Sequence, residues 1–145
     1  MHELSVAQGI VDAVLFEAEK NNAQQVEEIN VDVGELMQID TEALEKMLIL
    51  LMKGPKLARA QVKLNVQKAS FSCRRCAEKW DMTEAKKQLS SVLDELLVRE
   101  PHGKEPPLHF LPCLYPAFLR CPKCGSSDIA ATQGEDIRLR KLIME

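Results

Sequence analysis

No apolar run in this 145-residue sequence approaches the ~20 residues that a membrane-spanning helix needs, so we do not expect an integral membrane protein. The first twenty residues carry four acids and lack the basic lead and the small-residue cleavage site of a secretory signal. Their absence predicts a cytoplasmic location, where thiols stay reduced. The chain has five cysteines, an odd number that also disfavours a disulfide framework.

The sequence also has no surplus of positive charge. Its net charge is −3 at pH 7 and its pI is near 5.7, whereas a protein that binds nucleic acid normally shows a basic domain or stripe. In residues 69–131, which contain all the cysteines, nine Lys and Arg stand against eight Asp and Glu. Aromatic residues in this segment are scattered, without the basic neighbours of a single-strand stacking platform. Nucleic acid is therefore not an expected partner.

Motifs typical of enzymes are missing as well. The sequence contains no glycine-rich phosphate loop, no Walker motif and no nucleophile with a plausible base. We therefore do not expect catalysis. The content of 46% apolar and 28% charged residues is ordinary for a globular protein. The length suits one domain or a modest core with an appended module.

The spacing of apolar residues predicts two amphipathic helices outside the cysteine segment. Residues 4–20 carry apolar side chains at steps of three and four. Residues 40–53 repeat this pattern, with Asp40 as the predicted N-cap and Gly54 just after the end. Both helices are predicted to place one face against a core.

Alternation of apolar and polar residues predicts three strands. The strands cover about residues 29–33, 60–67 and 136–144. In the last strand, the side chains expected on the buried face are Ile137, Leu139 and Ile143. Two helices and three strands with one polar face are typical of a small α+β fold.

Residues 70–131 hold every cysteine and are predicted to form a second module inserted into this fold. The expected domains are therefore 1–69 with 132–145, and 70–131. Apolar residues at helical spacing predict a short helix in the insert; they are Leu89, Val92, Leu93, Leu96 and Leu97. The prolines of residues 101–116 predict a loop or extended arm.

Two C-x-x-C pairs are the most specific feature of the sequence; they are Cys73 with Cys76 and Cys121 with Cys124. Two residues between thiolates let a tight turn direct both sulfurs at one ion while the backbone amides of the turn bond to the sulfurs. Gly125, directly after the last cysteine, also favours a turn there. Two such knuckles complete a closed tetrahedral shell, the pattern of a structural zinc site. A tetrathiolate iron site or a pair of disulfides would use the same residues. The expected fold is thus α+β with a zinc-ribbon-like Cys₄ module.

The 44 residues between the two pairs exceed the ~15–20 of a compact ribbon, and the helix and proline-rich arm occupy the excess. Because the module has few large apolar residues, metal binding is expected to supply much of its folding free energy. Cys113 is left over, either as a small, partly buried apolar residue or as a soft ligand or redox partner.

Three further residues each have two interpretations. His2 is either a polar residue on a frayed terminus or a ligand beside the terminal amine. Glu3 is either a ligand or an acid that interacts favourably with a helix N-terminus. His102 is either a solvated loop residue or a backup ligand.

Four features together resemble the hydrogenase nickel-incorporation proteins of the HypA/HybF family. They are "MHEL" at the start, "VDVGEL" after the first helix, two C-x-x-C knuckles with "CPKCGS", and a strand that returns after the cysteine module. The resemblance covers nearly the whole chain, and the insert resembles the longer archaeal-type version. It implies a nickel-binding α+β domain and a structural zinc domain. It also implies delivery of nickel to the large subunit of [NiFe]-hydrogenase, alongside a HypB-type nucleotide-hydrolysing maturation protein.

The resemblance also implies the nickel ligands. They are the imidazole of His2, the amine of Met1 and the peptide nitrogen of residue 2, with His109 of "HFLP" joining from the arm. Ni(II) in a square-planar or tetragonal field favours such nitrogen donors. Because the donors must lose protons, nickel affinity should fall below neutral pH. The protein could act as a monomer or a dimer. The competing hypothesis is a zinc-ribbon interaction module of the transcription or translation machinery.

Overall fold

The computed structural model describes residues 3–90, 98–100, 103–105 and 112–145. In chain order, the helices and strands are α1 (Glu3–Lys20), β1 (Val26–Gly34), α2 (Thr41–Leu51), β2 (Gln61–Gln67), β3 (Ser70–Cys73), β4 (Lys79–Asp81), α3 (Met82–Leu89), β5 (Val98–Glu100), β6 (Gly103–Glu105), α4 (Tyr115–Phe118), β7 (Ile129–Gln133) and β8 (Ile137–Met144). None of these helices is both long and apolar enough to cross a bilayer.

The chain divides into two compact units. The first unit consists of Met1–Val33, Ile39–Asn65 and Ile137–Glu145. The second unit consists of Gly34–Gln38 and Val66–Asp136.

Both predicted helices of the first unit are confirmed. α1 buries one apolar face, and α2 begins where Asp40 accepts a hydrogen bond from the N–H of Ala43 at 3.1 Å. Such a cap satisfies one of the donors that a helix N-terminus leaves unpaired. The helices contact each other, and their apolar faces meet in one core with β1.

The sheet of the first unit has the order β2-β1-β8, with β1 and β8 antiparallel. Side-chain contacts join β1 to β2 at Glu28 with Lys63 and at Asn30 with Asn65. Both partners advance in the same direction along the chain, so β1 and β2 are parallel and α2 is their crossover. The three predicted strands of the first unit are therefore confirmed.

The predicted buried position of Ile143 is wrong. Ile143 is 37% exposed, whereas Leu142 and Met144 pack against the core. A register shift is the cause: two consecutive residues of β1 pair with residues two apart on β8, which leaves Arg140 as the extra residue of a bulge. Because side chains alternate strictly, one extra residue moves all later ones to the opposite face.

The second unit contains a sheet of order β4-β3-β7, in which both pairings are antiparallel. α3 follows β4 and begins at a cap in which Asp81 accepts from the N–H of Thr83 at 2.9 Å. Sequence analysis placed the helix of the insert later, and of the residues on which it relied only Leu89 belongs to α3. Residues 91–97 lie outside the described part of the chain.

In its described residues, 103–105 and 112–116, the proline-rich arm is extended first and helical later. β5 and β6 form an antiparallel hairpin, which agrees with the expected extended chain. The absence of helix was a wrong prediction, since a 3₁₀ turn at Pro112–Leu114 leads into α4. Pro116 fits there because it lies in the first turn of α4, where no intrahelical N–H donor is required.

The "GEL" part of the "VDVGEL" motif belongs to the second unit and fits closely against the chain near Gly134. A Cβ added to Gly34 would lie 2.5 Å from the carbonyl oxygen of Gly134, so no larger residue fits without a backbone shift. The next two residues extend the contact: Glu35 accepts from the N–H of Ala69 at 2.9 Å, and Leu36 is fully buried. The motif thus fixes where the chain leaves β1.

Candidate metal centre

The side chains of the two C-x-x-C pairs converge in the second unit. Their four sulfurs lie within 4.8 Å of one another, with Sγ–Sγ separations of 3.5 Å for Cys73 with Cys124 and for Cys76 with Cys121. A tetrahedral ZnS₄ site with Zn–S bonds of ~2.3 Å has sulfurs ~3.8 Å apart. All five cysteines are free thiols, which contradicts the disulfide alternative. The donor set and its spacing fit a structural zinc site.

The first knuckle directs backbone amides at its leading sulfur. The N–H groups of Arg75 and Cys76 donate to Cys73 Sγ at 3.4 and 3.5 Å. The turn closes with the N–H of Ala77 donating to the carbonyl of Cys73 at 3.0 Å. Ala77 has a φ of 65°, in the left-handed region that a residue with a Cβ seldom adopts.

The second knuckle repeats this geometry. The N–H groups of Lys123 and Cys124 both donate to Cys121 Sγ at 3.4 Å, and the N–H of Gly125 donates to the Cys121 carbonyl at 2.9 Å. Gly125 has a φ of 74°, which glycine adopts at little cost. The predicted turn at Gly125 and the predicted amide bonds to the sulfurs are therefore confirmed.

These amides make the leading thiol of each knuckle the more acidic one. The N–H of Cys76 lowers the pKa of Cys73 to about 7, although burial acts in the opposite direction. Burial also raises the pKa of Cys121, but the N–H groups of Cys124 and Lys123 outweigh it and the pKa lies below its ordinary value. These two thiols therefore ionise readily.

The trailing thiol of each knuckle is the weaker acid. A backbone hydrogen bond from Glu78 lowers the pKa of Cys76, but burial and the neighbouring thiols raise it to about 12. A bond from Ser126 likewise lowers the pKa of Cys124, whereas burial and Cys73 raise it above its ordinary value. Four thiolates cannot coexist at this spacing without a cation, so the cluster is suited to a divalent ion that displaces the remaining protons.

Two contacts that sequence analysis did not anticipate hold the knuckles. Arg74 joins the first knuckle to the chain after the second one. Its guanidinium lies 3.2 Å from an Asp128 carboxylate oxygen, and its backbone N–H donates to the Asp128 carbonyl at 2.9 Å. Gln88 of α3 bonds twice to the backbone of Arg120, immediately before Cys121. No local sequence pattern indicates contacts between residues so far apart along the chain.

The remaining candidate residues are not in the cluster. Cys113 is exposed rather than partly buried, because the 3₁₀ turn at its position does not direct it into the described core. Glu3 is the first residue of α1, and its carboxylate accepts from the N–H of Asp40 at 3.2 Å. The other candidates lie outside the described residues: Met1, His2, His102 and His109.

A family model described as "Hydrogenase/urease nickel incorporation, metallochaperone, hypA" matches residues 1–144. The chain belongs to the HypA family. The resemblance inferred from "MHEL", "VDVGEL" and the knuckles is thereby confirmed.

Relatives and solved structures agree with this family. The chain is 32% identical over 145 residues to the hydrogenase maturation factor HypA of Pyrococcus horikoshii, covering 100% of this chain and 96% of that protein. It is equally identical, over the same shares, to HypA of Thermococcus onnurineus. The solution structure of the Ni metallochaperone HypA from Helicobacter pylori superposes with a TM-score of 0.59 at 21% identity, covering 99% of this chain and 97% of that one. This likeness supports the predicted α+β fold class with its Cys₄ module.

Proposed function

We propose that this protein is a nickel metallochaperone that binds Ni(II) at its N-terminus and passes it on for maturation of [NiFe]-hydrogenase. The observation that carries the proposal is the HypA family match over residues 1–144, in a chain whose four knuckle cysteines converge on one point. In this proposal the first unit is the nickel-binding domain and the second is the zinc-binding domain. Nickel is the cargo, and zinc is a structural component.

The proposed nickel ligands are the amine of Met1, the peptide nitrogen and imidazole of His2, and the imidazole of His109. Support comes from the position at which α1 begins. Glu3 is bonded to the backbone of Asp40, so the residue that directly follows Met1 and His2 in the sequence is anchored. An amine, an amide and an imidazole that are adjacent in the chain suit a square-planar Ni(II) field, and His109 would fill the fourth corner.

The proposed zinc ligands are Cys73, Cys76, Cys121 and Cys124. Zinc, when bound, supplies a closed coordination shell with no open position for substrate. The chain's own contribution is to hold the sulfurs at the required spacing through the N–H bonds of each knuckle. A purely structural role for zinc keeps it distinct from the transported nickel.

We further propose that the partners are a HypB-type nucleotide-hydrolysing maturation protein and the hydrogenase large subunit. The two archaeal relatives are hydrogenase maturation factors, whereas the family description also names urease. The receiving enzyme is therefore to be tested with apo-forms of both. Faster nickel-dependent activation of apo-hydrogenase by the nickel-loaded chain, relative to an equal amount of free nickel, is the expected result.

The test of the nickel site is a calorimetric titration of the untagged, correctly initiated chain with Ni(II). We expect His2→Ala to weaken binding by roughly 100-fold, because it removes the imidazole donor and leaves the adjacent amine and peptide nitrogen without their chelating neighbour. His109→Ala is expected to weaken it less. His102→Ala is the matched control and should leave binding unchanged. Unchanged affinity and stoichiometry in the His2 variant would end the proposal, whereas no effect of His109→Ala would remove only that ligand.

A further inference from the structure

The side-chain amide of Gln88 makes a two-point contact with the backbone of Arg120. Its Nε2 donates to the Arg120 carbonyl at 2.8 Å, and its Oε1 accepts from the Arg120 N–H at 2.7 Å. Gln88 lies in the last turn of α3. The amide therefore pairs with this backbone as a neighbouring strand would, using both its donor and its acceptor.

The two hydrogen bonds between Gln88 and Arg120, called the clamp below, hold the backbone directly before the second knuckle. Leu119 and Cys121, on either side of Arg120, are 0% and 2% exposed and belong to the core of the second unit. Side chains of α3 lie in the same core; they are Met82, Ala85 and Leu89. The three-residue segment is therefore fixed by apolar packing through its side chains and by Gln88 through its main chain.

We propose that Gln88 is a positioning residue of the zinc site. Gln88 fixes the position of the backbone directly before Cys121. Because Gln88 belongs to α3, zinc binding and the docking of α3 stabilise each other. Thermodynamic linkage makes this coupling reciprocal: if docked α3 strengthens zinc binding, bound zinc must strengthen the docking of α3 by the same factor. The inference rests on the proposed zinc site and adds to it a residue that is distant in sequence from the four ligands.

Two substitutions separate the parts of the clamp. Gln88→Ala removes both hydrogen bonds. Gln88→Glu keeps an acceptor for the Arg120 N–H but cannot donate to the Arg120 carbonyl when ionised. Lys86→Ala is the matched control, because Lys86 is an exposed residue of the same helix with no role in the clamp.

The experiment measures zinc release from the full-length, zinc-loaded chain with a chromophoric chelator in excess. From the usual worth of hydrogen bonds, we expect zinc dissociation to be about tenfold faster in Gln88→Ala. In Gln88→Glu it should be at least about threefold faster, because one bond is lost and a carboxylate oxygen then faces the Arg120 carbonyl. Lys86→Ala should match the unsubstituted chain. Should Gln88→Ala fail to fold, the comparison of the other two variants decides: zinc dissociation must be faster in Gln88→Glu than in Lys86→Ala.

Hydrogen exchange of the α3 peptide supplies a second measurement, which a general loss of stability would not reproduce. In the unsubstituted chain, adding zinc should slow exchange in α3; in Gln88→Ala it should slow exchange at the knuckles but much less in α3. Equal dissociation rates in the Gln88 and Lys86 variants would overturn the role of Gln88. A chain that takes up no zinc at all would instead overturn the proposed zinc site.

Discussion

The two compact units differ in what their described cores contain. The core of the first unit is aliphatic, with Val14, Leu44 and Leu48 fully buried between helices and sheet. The core of the second unit, built on short strands and an eight-residue helix, buries Phe71, Leu119 and Ile129 together with two of the clustered cysteines, Cys73 and Cys121. The first unit is therefore expected to depend on apolar burial alone, and the second on apolar burial together with metal binding.

The difference extends to the two proposed metals. Four thiolates at tetrahedral spacing suit a closed zinc site that is not meant to exchange. Adjacent nitrogen donors at a chain terminus suit Ni(II), and they take up protons readily enough to release it. In this proposal, sulfur ligands for the permanent metal and nitrogen ligands for the transported metal would keep the two apart in one small chain.

Removal of zinc is expected to change the relative stability of the two units most. Chelation is expected to unfold the second unit and spare the first, because only the second relies on the thiolate cluster. Hydrogen exchange read by mass spectrometry on the full chain checks it. Peptides of α3 and β7 should lose protection while those of α1 and β1 keep it, and equal loss in both units would contradict the division.

Zinc binding is expected to weaken as pH falls, whereas the apolar core of the first unit has no such dependence. In the zinc-free cluster, the pKa of Cys76 is about 12 and that of Cys124 is raised, so both thiols are protonated at pH 8. Zinc must displace at least these two protons there, so affinity should fall by about 100-fold or more per pH unit. Below about pH 7, protonation of Cys73 should steepen the decline.

Competition titrations against a chelator of known pH dependence measure this slope. Because bound zinc stabilises the second unit, its stability must fall in the same direction, with decreasing pH. A zinc affinity that is constant between pH 8 and pH 6 would contradict the assignment of these thiols as ligands.

A cavity created by substitution in the first unit tests whether that unit depends on apolar burial and not on zinc. Leu44 is 0% exposed, so Leu44→Ala is expected to lower the free energy of unfolding by about 2–5 kcal/mol without changing zinc content. Leu50, on the same helix and 69% exposed, is the matched control, and Leu50→Ala should change stability by less than ~0.5 kcal/mol. Urea unfolding measures both variants, and loss of zinc from Leu44→Ala would argue against separate cores.

The smallest expected effects are changes in stability when the residue after each knuckle is substituted. Ala77 and Gly125 occupy equivalent left-handed positions, with φ of 65° and 74°. Ala77→Gly should relieve strain and raise stability by up to ~1 kcal/mol, whereas Gly125→Ala should lower it by ~1–2 kcal/mol. Thermal unfolding of the zinc-loaded variants compares them. Changes of the same sign in both would show that the knuckles are not equivalent.

The features that sequence analysis predicted correctly are those with a local cause. Alternation along the strands of the first unit, the cap at Asp40 and the two-residue spacing of the cysteines each express a rule that acts within a few residues. Family motifs then supplied the functional hypothesis. The nickel ligands remain a prediction, because Met1, His2 and His109 lie outside the described residues.

The features that sequence analysis missed have tertiary causes. The bulge at Arg140 reverses the last residues of β8, and it depends on the register with β1. α3 buries only Met82, Ala85 and Leu89 on an otherwise polar helix, so the leucine-rich segment after it gave the stronger helical pattern. The contact of Gln88 with Arg120 spans 32 positions, and no local spacing rule encodes it.

Metal content of the chain before and after acetylation of its N-terminal amine tests the separation of the two metals most directly. Zinc and nickel are measured together by mass spectrometry on protein equilibrated with Ni(II) and passed over a desalting column. We predict that acetylation abolishes retained nickel and leaves one zinc per chain. Nickel retained at full stoichiometry by the acetylated chain would contradict a carrier site at the terminus.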